Sequence, residues 1–175
     1  MPRRLAHPIP KEAVTQLRRH LTLIQRQRGF NNNIDATNTT LIPESVDKSN
    51  LSGDKKVAIN VEWGVDSFIG FEANNQMIWL SQGTLFCYLL EGKEKDPQGQ
   101  IADLFQDIVR YFYDDTGDER WTLFTENKID CGVVRQLIFK SVNRDFDFDK
   151  SPIIKADIAF DVRWACLKND LHQPI

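Results

Sequence analysis

"SPIIKADIAFDVRWACLKND", residues 151–170, is the stretch whose reading decides the fold. Ile154, Ala156, Ile158, Phe160, Val162, Trp164 and Cys166 are apolar, and they alternate with Lys155, Asp157, Ala159, Asp161, Arg163, Ala165 and Leu167. Period two is the mark of a strand with one face on a core. At roughly 3.3 Å per residue this strand would reach about 40 Å. The clearest helix lies upstream in "QIADLFQDIVRYFYDD", where Ile101, Leu104, Phe105, Ile108, Val109 and Phe112 recur at helical spacing. An apolar helix face that wide must lie on something flat, and a sheet is its natural partner.

The remaining elements follow by the same reasoning. After Pro8 and Pro10, "KEAVTQLRRHLTLIQRQRGF" carries one apolar stripe of Val14, Leu17, Leu21 and Ile24. The stripe predicts a helix that Gly29 ends, with Arg18, Arg19, Arg26 and Arg28 on its other faces. Residues 31–56 are rich in Asn, Thr, Ser and Asp and predict a long polar loop or arm. "VAINVEW", "DSFIGFE", "QMIWLSQ" and "TLFCYLLEG" read as three or four strands, with "ANN" as a turn between the middle two. The continuous apolar run of the last predicts cover on both faces. "WTLFTE" and "GVVRQLIFKSV" precede the closing strand. Strands grouped in sequence, with two segregated helices, predict α+β: a mostly antiparallel sheet packed by two helices, in a single domain over 1–175.

Composition narrows the function classes. The chain has 175 residues and a formal net charge of −3, which argues against a general polyanion binder or specific nucleic-acid binding. No apolar run has the length of a membrane span, and the basic N-terminus lacks the apolar stretch of a secretory signal. Cys87, Cys131 and Cys166 lack metal spacing and read as free thiols. His7, His20 and His172 are scattered, so no metal site or cofactor is expected. Trp63, Trp79, Trp121 and Trp164 fall at inward strand positions and read as core.

Three short motifs suggest chemistry. Asp115-Thr116-Gly117 matches the aspartic-protease tripeptide but follows a helix rather than an apolar strand, so it reads as a helix-ending turn. Asp145, Asp147 and Asp149 begin a calcium-loop pattern that fails at Lys150 and Ala156. Glu91 and Lys93 form an E-x-K after an apolar strand, with Asp66 upstream. That set resembles the PD-(D/E)xK nucleases, in which paired carboxylates hold Mg²⁺ beside a lysine. Here Gly92 replaces the usual apolar residue, and a hairpin intervenes after Asp66. No catalytic residues are expected beyond this alternative.

The order of elements resembles one family. A basic first helix, a polar arm, several strands, the amphipathic "QIADLFQDIVRYF", further strands and the long closing "IIKADIAFDVRWACL" look like the tail terminator (tail completion) proteins of long-tailed bacteriophages. The resemblance covers nearly the whole chain as a pattern, without a diagnostic motif. It implies a structural, non-catalytic virion protein of the tail and neck, assembled in the host cytoplasm as a hexameric ring. Its implied partners are itself, the tail tube protein and the head–tail connector protein. The alternative is another neck, connector or assembly adaptor protein. A head-to-tail ring needs two complementary patches on each subunit. Arg18, Arg19, Arg26 and Arg28 would supply a basic one, and acidic stretches including Asp145 and Asp147 the other. The long last strand suits a sheet that continues past the edge of one subunit.

Overall fold

The computed structural model describes residues 9–34, 51, 57–72, 76–90, 96–113, 133–145 and 153–167. They form a mixed α+β structure, mostly sheet. Helix α1 spans Ile9–Leu21 and α2 spans Pro97–Tyr113. Strands β1 (Val57–Glu72), β2 (Gln76–Leu90), β3 (Val133–Asp145) and β4 (Ile153–Leu167) make one open antiparallel sheet in the order β1-β2-β4-β3. Two hairpins therefore lie side by side. Helix α2 carries the chain from β2 across β4 to the far edge.

The long alternating stretch is β4, and its apolar set points to the core as its period requires: Ile154, Ala156, Ile158, Phe160, Val162 and Trp164 are all buried. It is not an edge, however. β2 pairs with it from Gln76↔Leu167 to Leu90↔Ile153 without a shift, and β3 pairs along its other side. Its length is matched inside the chain, so the expectation that the last strand runs past the subunit edge is corrected. The edges are β1 and β3, and both carry register shifts. Such bulges twist an edge away from further pairing.

The four stretches read as separate strands before α2 are two long ones. Gly64 and Gly83 lie inside the β1–β2 hairpin. Gly83 is there for room. A Cβ on it would overlap the Phe160 ring and come within 2.8 Å of the Glu62 carbonyl oxygen. "WTLFTE" lies outside the described residues.

Both helices cover one face. Leu17, Leu21 and Ile24 pack with Val57, Ile59, Val61, Leu85, Leu89 and the α2 stripe in a single cluster. Ile101, Leu104, Ile108, Tyr111 and Phe112 are buried, whereas Phe105 and Val109 are only half-buried. The five contribute roughly 10 kcal/mol of gross burial at about 2 kcal/mol each. On the other face Leu51, Ala58 and Tyr88 form a small cluster with Phe86, which bears out the two-sided cover expected of this part of β2.

Helix α1 ends at Leu21, short of Gly29. The Thr22 hydroxyl donates to the Arg19 carbonyl and the Gln25 amide to the Thr22 carbonyl, taking over terminal acceptors of the helix. A 3₁₀ turn over Arg26–Arg28 follows, and Gly29 caps that turn at φ 84°, in the left-handed region that favours glycine. The next residues are not free arm. Asp107 of α2, 1% exposed, accepts hydrogen bonds from the backbone N–H groups of Asn31 and Asn32 and from both side-chain amides. Ile34 then bridges to Val57 in parallel and is fully buried. Of the remaining arm, Leu51 alone is described.

Candidate functional site

The outer half of the edge strand β1 is uncovered, whereas Ile78 and Ser81 of β2 beside it are buried. Val57, Ala58, Ile59 and Val61 are buried, but from Gly64 to Glu72 every residue except the half-buried Gly70 is exposed. Nine residues of strand amount to about 30 Å. On this stretch Val65 is 63% exposed, Phe68 45%, Ile69 53% and Phe71 58%. Val65 lines a depression with Thr84 and Asp161, while Phe68 and Phe71 lie with Trp79 and Trp164 on the other face, so exposed apolar surface occurs on both faces of this edge.

This outer stretch is braced from within. Phe68 meets Phe71 and Trp79 edge-on at 5.0 and 5.6 Å, and Trp79 stacks on Trp164 at 5.7 Å. Asp66 anchors the polar side of this aromatic row. One carboxylate oxygen accepts from the Trp63 indole N–H at 2.8 Å and from the Ser81 hydroxyl, and Ser81 in turn accepts from the Trp164 indole at 2.7 Å. The Ser81 side is fully buried, so hydrogen bonds replace water there. The aromatics are thus held as a preformed platform, and all the described tryptophans have places on strands.

The charge on the hairpin has one sign. Residues 57–90 contain Glu62, Asp66 and Glu72 and no lysine or arginine. Arg163 of β4 pairs with Glu72 at 3.1 Å, while Glu62 stays exposed. The opposite sign gathers at α1 and the turn after it, where Lys11, Arg18, Arg19, Arg26 and Arg28 face Glu12 alone over residues 9–30. The structure sorts these arginines. Arg18 is half-buried and donates to the Val61 carbonyl at 3.4 Å, so it belongs to the α1–β1 contact. Arg26 is exposed, with its Nε on the Asn31 carbonyl. Arg19 and Arg28 are exposed and make no ion pair with a described residue. Leu23 and Phe30, half-buried, lie in the same segment, and Arg110 sits over the Phe30 ring at 5.2 Å.

The two sheet edges differ. At β3 the Tyr113 hydroxyl donates to the Leu137 carbonyl at 2.7 Å and accepts from the Phe139 N–H at 3.1 Å. A side chain from α2 thus occupies the groups a neighbouring strand would use. Burial raises the Tyr113 phenol above its ordinary value, partly offset by that backbone hydrogen bond. At β1 the one bridge along the outer edge, among the described residues, is Ile34↔Val57.

The other sequence candidates fall as follows. Asp66 lies opposite Ser81, and Leu90 is nine residues further along β2, roughly 30 Å away. Glu91 and Lys93 lie outside the described residues, as do Asp115, Asp147 and Asp149. Asp145 closes β3. His20 is buried in the α1–α2 contact, its Nδ1 at 2.8 Å from the Tyr111 hydroxyl. Burial, aided by the negative Asp157, pushes the Cys87 thiol far above its usual value and keeps it a neutral core group. An open depression of about 370 Å³ on the face opposite the helices is lined by Glu62, Val65, Thr84, Ser141, Lys140 and Asp161, the last two paired at 3.1 Å. Among the described residues no three His, Cys, Asp or Glu side chains gather as a metal site, and no helix is long and apolar enough to cross a membrane.

Sequence reasoning missed the exposed apolar residues of "DSFIGFE", because a short run with three large apolar side chains reads as a strand with a face to bury. It also missed Asp107, whose spacing within α2 gives no sign of a partner 75 residues away. No family model matches the chain, and no curated protein matches it significantly.

Proposed function

We propose that the protein is a structural, self-assembling virion component of the tail-terminator type. In this reading six copies form a ring that caps the tail tube, stops its growth and presents a surface to the head–tail connector protein. It would be made in the host cytoplasm and reside at the neck of the virion. The observation that carries the reading is the outer half of the edge strand β1, where Val65, Phe68, Ile69 and Phe71 are exposed. An edge strand with exposed apolar side chains of that kind suits an assembly contact better than a reaction site. The exposed Arg19 and Arg28 of the first helix and the turn after it would form one of the two unlike patches that a head-to-tail ring requires.

Light scattering on purified protein, with negative-stain images of the same fractions and of fractions mixed with tail tubes, tests this. Closed rings of one copy number, or caps at tube ends, are expected. Magnesium-dependent DNA cleavage that disappears in Glu91→Ala would overturn the reading in favour of a nuclease.

A further inference from the structure

We infer that the open depression on the face opposite the helices binds an organic cation, a primary ammonium on a short alkyl chain. Every residue it uses lies in one copy, so the inference goes beyond the assembly reading and does not rest on it. The strands build this hollow. Trp63, Gly83, Phe160 and Phe139 stand opposite one another in a single row across the sheet. On either side of that row an edge strand carries a bulge, between Trp63 and Asp66 in β1 and between Phe139 and Ser141 in β3. A bulge leaves a residue without a place in the ladder and re-aims its side chain. In β3 that residue is Lys140, and in β1 Val65 falls within the bulge; both line the depression. Between them the lining has little bulk, with Gly64, Gly83 and Ala159. The volume of about 370 Å³ lies at the low end of the roughly 300–1,000 Å³ of small-ligand sites. It admits one small molecule or one long side chain.

Charge selects the class of ligand. The ionisable side chains of the lining, among the described residues, are Glu62, Lys140 and Asp161. Asp161 is 8% exposed and pairs with Lys140 at 3.1 Å, so these two cancel. Glu62 is exposed and makes no ion pair or hydrogen bond with a described residue. The hollow is left with one uncompensated negative charge, which repels anions and attracts cations. A metal ion does not fit. β2 runs between the strands of Glu62 and Asp161, which sets those strands roughly 10 Å apart. Magnesium and calcium hold their oxygen ligands at about 2.0–2.6 Å. An ammonium needs no such cage. It has three donors, and Glu62 lies opposite Thr84 in the register, so a carboxylate and a hydroxyl meet it together. The alkyl chain then runs over Val65 and Ala159, while Ser141 and the Lys140–Asp161 pair close the far wall.

Saturation-transfer NMR on the full chain tests this, because it observes the ligand and serves monomer and ring alike. The probe is n-butylammonium, with n-butanol and butyrate as its neutral and anionic counterparts. Saturable binding of n-butylammonium is expected, with Kd about 1–10 mM, weakening in about 0.5 M salt. n-Butanol and butyrate should bind at least about fivefold more weakly, as the loss of an exposed ion pair gives. Glu62→Gln should weaken n-butylammonium by a similar factor. So should Val65→Lys, which places a resident ammonium in the hollow. Glu72→Gln, on the same strand but paired with Arg163, should leave binding unchanged. All three side chains are exposed, and circular dichroism checks that each variant keeps its fold. Binding no better than that of n-butanol, or undiminished in Glu62→Gln, overturns the inference. So does an equal loss in Glu72→Gln, the mark of a diffuse surface charge. Spermidine and N-acetyl-lysine methylamide then separate the sources. Tighter binding of the first marks a free polyamine, and of the second a lysine side chain of a partner protein.

Discussion

Replacing Asp107 with alanine should cost about 3–5 kcal/mol, and the figure follows from what the carboxylate holds. Asp107 is 1% exposed on the buried side of α2. The Asn32 N–H reaches one of its oxygens at 2.9 Å, and the Asn31 N–H is shared between both at 3.1 and 2.9 Å. The side-chain amides of the two asparagines add two more bonds, at 3.1 and 2.8 Å. In the alanine variant the amides can turn to water, because Asn31 is exposed and Asn32 half-exposed. The two backbone N–H groups cannot turn without moving the chain. Hydrogen bonds to a charged acceptor are worth about 1.5–3 kcal/mol each, which sets the total. Against a typical domain stability of 5–15 kcal/mol the loss is large. With a urea slope near 2 kcal/mol/M, the midpoint should fall by roughly 1.5–2.5 M. Asp107→Asn keeps one carbonyl oxygen at the same place and should cost only about 1–2 kcal/mol. The clamp sits immediately before the Ile34↔Val57 bridge, so amide exchange at both residues should accelerate in the alanine variant. An alanine variant within 1 kcal/mol of wild type, with unchanged exchange at Ile34, would refute this account of how the first helix is tied to the second.

Gly83→Ala should destabilise by about 1–3 kcal/mol by thermal melting, because its Cβ overlaps the Phe160 ring; a companion Phe160→Leu should recover part of the loss. Tyr113→Phe should cost about 0.5–1.5 kcal/mol and speed exchange at the Phe139 amide, since the hydroxyl that accepts from it is gone. The raised Tyr113 pKa means that the folded state keeps its proton where the unfolded state releases it. That contribution is intact below the ordinary tyrosine value of about 10 and is lost as pH rises above it, so the wild type should lose more stability than Tyr113→Phe in that range. Cys87, also raised, follows the same sign from the ordinary thiol value upward. Peptide mapping should find it unlabelled by maleimide until urea unfolds the protein.

Much of the fold was legible in local pattern. The alternation of Ile154 through Trp164 marked β4 and its buried face, and the spacing of Ile101, Leu104, Ile108 and Phe112 marked α2. The arginines of the first helix were also visible as a candidate patch. Their division into Arg18, which serves the α1–β1 contact, and the exposed Arg19 and Arg28 was not. Nor was the role of Gly83, which makes room for the Phe160 ring on the neighbouring strand.

Period and composition, then, determined by themselves that this chain makes long amphipathic strands and two covering helices. Each of those choices is settled by which side chains a short segment must hide from water. Tertiary structure alone decided that β4 lies inside the sheet, that Asp107 clamps Asn31 and Asn32, and that "VDSFIGF" is an exposed edge. An alternating strand states that one of its faces seeks cover. It does not state which strand will pair beside it, or whether the helices above are long enough to reach its end.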